Sequence, residues 1–270
     1  MTPTDGTAAG DRRIVPPRKP PRPWWYWAVA AAVIAFTLYS GRRVGFSLTS
    51  LKDLPSNPLW EKFWPPEWDW VFANAIDPLI ETFQIAILAT LVGCLLALPV
   101  SFAMSRLTSH NSYTYFGSKA IMNLIRTIPD LFWAKLFVTA IGIGAFAGTL
   151  GLIIFSLSVM VKLFSETIDA ADPGPLEAAE AAGGTHIASV KVGVLPEVLP
   201  NYVAYALYVF ELNIRASVVL GLVGAGGVGR VLEAQRQFFQ FDRIMGIVIL
   251  LFVVVFTLEQ ISVAIRRRLV

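Results

Sequence analysis

The sequence predicts an all-α, polytopic membrane protein with about six transmembrane helices. Hydrophobic residues make up 55% of the 270 residues and charged residues only 15%, well below the roughly 25% charged of an ordinary soluble domain. Two long segments, residues 82–105 and 136–161, carry no charged side chain. Because about 18 apolar residues suffice for a helix to cross the hydrocarbon core, the chain is predicted to cross a membrane several times.

The predicted spans follow the apolar runs in chain order. Tryptophan and tyrosine at positions 24–27 are typical of the headgroup level of a bilayer, and Pro99 predicts a kink in the second span. A cleaved signal peptide is the weaker alternative for the first span, because a long tail precedes it and no clear small-x-small site follows it. The six predicted spans are residues 24–40, 78–105, 119–141, 147–164, 198–220 and 244–265.

The spans divide the chain into four regions. Residues 1–23 are rich in proline and basic residues and predict a disordered cytoplasmic tail. Residues 24–77 hold the first span and a Trp- and Pro-rich extracytoplasmic loop, which either lies along the membrane surface or packs on the bundle. Residues 78–265 form the core, and residues 266–270 a basic cytoplasmic end. The Lys and Arg bias favours a multi-pass protein of the cell membrane with both termini in the cytoplasm.

Several classes of function are not supported by the residues present. The single cysteine, Cys94, lies in an apolar run, and the two histidines are far apart in sequence, so neither a disulfide framework nor a metal site is predicted. Acids, histidines and nucleophiles do not converge, so we expect no catalytic residues. The basic residues flank the spans, which argues against a nucleic-acid partner. No GxxxxGK[ST] motif occurs, so we expect no cofactor in this chain and any ATP and Mg²⁺ to be bound by a partner.

A polar segment, residues 172–196, separates the fourth and fifth spans. Its charged residues and glycines are costly in hydrocarbon, so it is predicted to lie outside the bilayer. Asp172 is expected to cap a helix that starts at Pro173, and Gly183 to end that helix. The flank between them is nearly bare, because it consists of alanines at 178, 179, 181 and 182. A short helix of this kind is suited to docking in a groove of another protein; a merely solvated helix is the alternative.

The same segment resembles the EAA loop of ABC importer permeases. The resemblance is carried by Glu177, Ala178, Ala179, Gly183, Leu195 and Pro196 at the family's spacing. Gly193 departs from the pattern, since the family has an aliphatic residue there. Four further stretches are similar to phosphonate/phosphate-type permeases, namely residues 126–130, 195–201, 211–217 and 221–229.

This resemblance implies a fold, a function and partners. The fold would be that of a type I ABC importer permease, a subunit that hydrolyses nothing itself. Its EAA helix would fit a groove on a cytoplasmic ABC ATPase dimer, an extracytoplasmic substrate-binding protein would deliver the ligand, and a second permease copy or a paralogue would complete the pathway. The expected cargo is phosphonate, phosphate or a related oxyanion. The alternatives are a permease for another small solute such as an amino acid, or an ATP-independent carrier or channel.

Charged residues within the spans indicate a substrate pathway or internal ion pairs. Arg126 and Asp130 are four residues apart, as are Glu211 and Arg215, so each pair is able to neutralise itself on one helix face. If the ligand is an oxyanion, the two guanidinium groups are natural transient contacts. The predicted pathway set is Arg126, Asp130, Glu211, Asn213, Arg215 and Ser217, and the ion-pair interpretation remains open beside it.

A glycine-rich stretch follows the fifth span. It contains a GxGxxG string, but no alternation of strands and helices surrounds it, so a dinucleotide site is not predicted. Glycines instead permit close approach of backbones or a re-entrant loop. The residues assigned to close packing or to a gate are Gly221, Gly224, Gly226, Gly227 and Gly229.

Overall fold

The computed structural model describes residues 24–47, 52 and 58–268, and divides the chain into two units, residues 1–57 and 58–270. The predicted N-terminal tail, most of residues 48–57 and the last two residues therefore lie outside the described residues. In the first unit, helix α1 (Trp25–Arg43) buries none of its side chains. It does not reach the apolarity of a membrane span, because three aromatic residues and two arginines take up its ends. The first predicted span is thus a helix, but it is less apolar than the four long helices of the second unit.

Four helices of the second unit are long and apolar enough to cross a membrane: α3 (Ile76–Met104), α6 (Ala145–Asp169), α9 (Leu195–Gly221) and α11 (Phe241–Arg266). They confirm the second, fourth, fifth and sixth predicted spans as helices, with shifted ends. The largest difference between a predicted and an observed helix end is in α6, which continues past the apolar run to Asp169. The backbone hydrogen bonds of a helix do not require apolar side chains, so the helix is able to extend beyond the apolar residues. Shorter helices are α2 (Trp68–Asn74) and α10 (Gly227–Gln237).

The third predicted span, residues 119–141, is wrong as a single helix. It is divided into α4 (Ser112–Thr127) and α5 (Asp130–Ile141). Ile128 between them has φ −86° and ψ 122°, since a residue before proline is driven out of the helical region. Neither piece alone has the length of a span, although the two in succession cover one.

The long helices of the core do not all run in the same direction. Ser105 Oγ, just past the end of α3, donates to Asp169 at the end of α6 over 2.6 Å, so α3 and α6 run parallel. The amide of Gly144, just before α6, donates to the carbonyl of Gly224 after α9 over 3.0 Å, so α9 runs antiparallel to α6. Helices α4 and α5 must therefore carry the chain back between the two ends of the bundle. We call the end at Ser105 and Asp169 the hairpin end, and the other the glycine end.

The core of the bundle lies where α3, α6 and α9 meet. A Cβ at Gly93 of α3 would lie 2.5 Å from Ser156 Cβ of α6, so glycine permits the close approach of these two helices. Helix α11 contributes least, with only 11% of its most apolar window buried. The described core side chains that pack where the three helices meet include Cys94, Ala97, Met160, Val161 and Val209.

Candidate functional site

The segment between α6 and α9 forms two short helices, α7 (Gly174–Ala181) and α8 (His186–Gly193). We call this pair the hairpin. Asp172 Oδ1 accepts from the amide of Gly174 over 2.9 Å, so this carboxylate does satisfy a free donor at the start of α7. The helix itself begins one residue later than predicted, at Gly174, with Pro173 in the capping position. Leu195 and Pro196, expected as the end of the polar segment, form the first turn of α9 instead.

Two glycines shape the hairpin for different reasons. Gly183 has φ +90°, in the left-handed region that ends many helices, and no atom lies within 4 Å of a Cβ built on it. Gly193 is confined by contact, because its Cβ would lie 2.8 Å from the amide nitrogen of Leu176. The departure from the family pattern at Gly193 therefore has a structural cause that spacing alone did not show: here α8 lies directly on the start of α7.

The hairpin has one anchored face and one open face. Leu176 is 5% exposed and packs with Phe164 and Ile168 of α6 and with Val194 and Val198 at the start of α9.

The open face consists of small and acidic side chains. Glu177, Ala178, Ala181 and Ala182 are exposed, and Ala179 is half-buried. Behind this open face, Leu176 of the same helix contacts both α6 and the start of α9.

His186, the first residue of α8, joins the hairpin to the rest of the bundle. Its Nδ1 lies 2.8 Å from Glu180 Oε1 of α7, and its Nε2 lies 3.0 Å from the carbonyl oxygen of Thr108. Both partners are acceptors, so the doubly protonated ring satisfies them both. The hydrogen bond to Glu180 and then the one to Thr108 raise the pKa of His186 above its usual value. No sequence spacing could have revealed this contact, since Thr108 is far away along the chain.

The protonated His186 predicts a pH dependence of stability. Since its pKa is raised in the folded state, its contribution is complete below the unfolded value of about 6.5 and is lost as pH rises through the folded pKa. We expect the difference in thermal unfolding midpoint between the wild type and His186→Gln to be largest near about pH 6 and to shrink by about pH 8.5. A difference that stays constant over this range would show that the ring acts without its charge.

Arg126 and Asp130 do not form the predicted ion pair on one helix face. The break at Pro129 places Arg126 near the end of α4 and Asp130 at the start of α5. Asp130 Oδ1 accepts instead from the amide of Leu131 over 3.0 Å. Both residues line a cleft of about 270 Å³ beside Ser158 of α6.

Glu211 and Arg215 do pair, within a larger charge cluster. Arg215 Nη2 donates to Glu211 Oε1 over 2.5 Å and to Glu259 Oε2 of α11 over 3.1 Å. Arg266 Nη2 donates to the other oxygen of Glu211 over 3.2 Å. Glu211 is buried, so both of its oxygens are satisfied by arginines, as a buried carboxylate requires. Two acids and two bases thus balance and tie α9 to α11; Arg266 belongs to this cluster rather than to a free basic end.

Asn213 and Ser217 lie inside the bundle. Asn213 is fully buried, and its Nδ2 donates to Thr90 Oγ1 of α3 over 2.8 Å and to Ser156 Oγ of α6 over 2.7 Å. Ser217 Oγ donates to the carbonyl of Ile214 over 3.2 Å. Asn213 therefore holds three membrane helices together through one amide group.

Replacing Asn213 by alanine should destabilise the bundle without changing its charge. Two interhelical hydrogen bonds are lost, each worth about 0.6–1.7 kcal/mol between membrane helices. We expect a lower thermal unfolding midpoint in detergent. Asn123→Ala is the matched control, because that side chain is exposed on α4. Equal midpoints for the two variants would contradict the assignment.

The glycine stretch after α9 is a site of close packing. A Cβ at Gly229 would lie 2.0 Å from the carbonyl oxygen of Val218, and one at Gly221 would lie 2.7 Å from Gly229 Cα. Gly224, Gly226 and Gly227 have φ of +92°, +85° and +68°.

The same stretch is fastened to the start of α3. The amide of Val228 donates to Thr82 Oγ1 over 2.9 Å, and a Cβ at Gly226 would lie 3.1 Å from Glu81 Oε1. The stretch is thus in close contact with the backbone of α9 and with the start of α3, which favours the packing interpretation.

Comparison with known proteins identifies the family. Residues 89–270 match the family model described as "binding-protein-dependent transport system inner membrane component". The chain belongs to this permease family. Among the described residues, no group of histidines, cysteines and acids could hold a metal ion.

Several curated relatives, including the three that follow, are more than 30% identical to this permease. It is 32% identical to the phosphite transport system permease protein PtxC of Stutzerimonas stutzeri over 90% of each chain. It is 37% identical to the putative phosphite transport system permease protein HtxE of the same species, over 71% of this chain and 74% of the relative. It is 36% identical to the phosphate-import permease protein PhnE of Mycolicibacterium smegmatis over 80% of this chain, but spans only 41% of that protein.

Solved structures share the permease fold. A chain of the inward-facing MetNI methionine ABC transporter superposes with a TM-score of 0.63 at 22% identity, covering 74% of this chain and 97% of that chain. A chain of an amino acid ABC transporter superposes with a TM-score of 0.60 at 24% identity, covering 72% and 92%. This likeness confirms the predicted fold of a type I ABC importer permease and carries no information about the solute. The family match and the four apolar helices support a multi-pass membrane protein.

Proposed function

We propose that this chain is the permease subunit of an ATP-driven importer for phosphonate, phosphate or a related oxyanion. The geometry of the hairpin supports coupling to an ATPase. Its alanine face is exposed, while Leu176 anchors it to α6 and α9. The names of the curated relatives support the choice of solute, because those of PtxC, HtxE and PhnE refer to phosphite or phosphate.

The same proposal assigns partners and orientation. A cytoplasmic ABC ATPase dimer, which binds ATP and Mg²⁺, docks on the face formed by Glu177, Ala178 and the turn at Gly183. The hairpin end of the bundle then faces the cytoplasm, and both termini lie there. A substrate-binding protein delivers the oxyanion at the glycine end. A second permease copy, identical or paralogous, covers α11, which in the single chain has exposed apolar side chains at Val248, Phe252 and Phe256.

The pathway residues divide into two roles. Arg126 is exposed and Arg215 is about half-exposed, so their guanidinium groups are accessible to an oxyanion. Glu211 already holds Arg215 at 2.5 Å, which weakens anion capture and favours release of the solute. Asp130, beside Arg126 in its cleft, is assigned the same moderating role.

Asn213 and Ser217 position the helices that carry these arginines. Neither is accessible to a solute, because both are buried.

Uptake into proteoliposomes tests the proposal. The permease is reconstituted with its ATPase and binding protein, and uptake of radiolabelled phosphate is measured with ATP or a non-hydrolysable analogue inside. We expect ATP-dependent uptake that unlabelled phosphonate or phosphite suppresses and unlabelled methionine does not. Uptake that is equal without ATP would remove the importer assignment, and suppression by methionine alone would remove the oxyanion assignment.

A further inference from the structure

A basic cleft at the hairpin end lies outside the proposed pathway. It has a volume of about 530 Å³ and opens between the end of α3, the start of α4 and the end of α6. Its charged and polar lining consists of Arg106, Tyr115, Lys119, Lys162, Ser165, Glu166 and Asp169. No motif in the sequence points to it, because its cations come from three separate segments.

Two of its cations converge on one neutral oxygen. Arg106 Nε donates to the hydroxyl oxygen of Tyr115 over 3.0 Å, and Lys119 Nζ donates to the same oxygen over 2.7 Å. Both cations also lie over the tyrosine ring, at 5.6 and 5.0 Å from its centre. Tyr115 is only 7% exposed, so it holds the pair in fixed positions. Among the described residues, neither cation has a carboxylate within ion-pair distance.

The two acids of the cleft have other partners. Asp169 Oδ1 accepts from Ser105 Oγ and from the amide of Arg106, both over 2.6 Å. Glu166 forms an ion pair with Lys162. Neither Arg106 nor Lys119 therefore forms an ion pair with these acids, although the nearby charge of Asp169 still acts on the Arg106 guanidinium. The hydrogen bonds from Lys119 and then Arg106 lower the pKa of Tyr115.

We propose that this cleft binds a phosphate-type anionic group, carried either by the headgroup of an anionic phospholipid or by a free oxyanion. The guanidinium of Arg106 keeps its two terminal nitrogens for the ligand, because only Nε is occupied by Tyr115. Lys119 supplies a second, point-like charge on the same ligand. The site does not depend on which solute the permease carries, since phosphate on either source presents the same oxygens.

The cleft lies next to the end of α6, close to the start of the hairpin. Asp169, on its wall, ends α6, and α7 begins only a few residues later at Gly174. The same carboxylate holds the loop after α3 through Ser105. A bound anion would therefore join α4, through Lys119, to the loop after α3, through Arg106, and Asp169 holds that loop at the end of the helix that leads into the hairpin.

Thermal unfolding of the purified full-length protein in neutral detergent tests the proposal. One arm titrates inorganic phosphate, and the other titrates short-chain phosphatidylglycerol with phosphatidylcholine as its zwitterionic control, both against potassium chloride at equal ionic strength. A ligand that binds the folded state raises the unfolding midpoint. We expect a rise with at least one anion; a rise with phosphate alone assigns the free oxyanion, and one with phosphatidylglycerol alone assigns the lipid headgroup.

Variants separate the cleft from general surface charge. The double variant Arg106→Gln/Lys119→Gln should weaken the apparent affinity about tenfold or more, since it removes two charge-assisted contacts. Arg106→Lys/Lys119→Arg should retain most of the shift. Arg268→Gln, which removes one exposed charge outside the cleft, should retain all of it.

If the double variant does not fold, Lys119→Gln alone provides the reduced-charge comparison. No shift with either anion, or an equal shift in the wild type and the glutamine variants, would overturn the proposal.

Discussion

Ala178→Arg is expected to reduce ATP-driven uptake strongly while leaving the permease folded. Ala178 is exposed on α7, and arginine has nearly the helix propensity of alanine, so the helix itself is not weakened. The long side chain would instead prevent close approach of the ATPase to the bare flank. We expect uptake to fall about tenfold or more, which corresponds to a loss of about 1.4 kcal/mol or more in the coupled interface.

The measurement is uptake per reconstituted permease, with co-purification of the ATPase and the unfolding midpoint recorded for each sample. Ala178→Ser is the matched control, because it keeps the flank small. An Ala178→Arg protein that still binds and couples its ATPase would refute docking on this face, whereas a large fall in its unfolding midpoint would show that the residue acts in folding.

Gly229→Ala should be the most destabilising single methyl addition in the glycine stretch. The new Cβ would lie 2.0 Å from the carbonyl oxygen of Val218 and 2.8 Å from Gly221 Cα. Both obstacles are backbone, so α9 and α10 must separate. Overpacking of this kind costs about 1–3 kcal/mol and more where backbone must move.

Gly117→Ala is the matched control for that change. Gly117 lies within α4, and no atom is within 4 Å of its added Cβ, so alanine there should be neutral or slightly stabilising. Thermal unfolding and the yield of monodisperse protein in detergent measure both variants. Equal midpoints would mean that α9 and α10 are not packed as closely as described.

Local composition was sufficient to predict most of the spans. The apolar runs that became α3, α6, α9 and α11 are long, and burial of apolar surface in a bilayer requires little beyond length. The predicted start of helix α7 was also right to within one residue, because the capping by Asp172 and the following proline act locally.

Proline was less predictable, because its effect depends on neighbours. Pro99 was expected to kink its span; α3 continues through it as one helix, and the kink itself stays a prediction. Pro129 ends one helix and precedes another. Both prolines carry the same local signal, so spacing alone does not distinguish the two outcomes.

Long-range contacts could not be predicted from spacing at all. The i,i+4 rule found Glu211 and Arg215, but the second arginine on Glu211 is Arg266, at the end of another helix. The same rule failed for Arg126 and Asp130, because it assumes an unbroken helix. The position of Asn213 among three helices likewise depends on tertiary packing.

Accessibility of the hairpin to a membrane-impermeant thiol reagent tests the central claim most directly. The buried Cys94 is first replaced (Cys94→Ala), and Ala181→Cys then puts one thiol on the exposed face of α7. We predict labelling in inside-out vesicles stripped of the ATPase, protection when the ATPase is bound, and none in intact cells. The hairpin would not be the cytoplasmic docking site of the ATPase if intact cells were labelled, or if bound ATPase left the labelling unchanged.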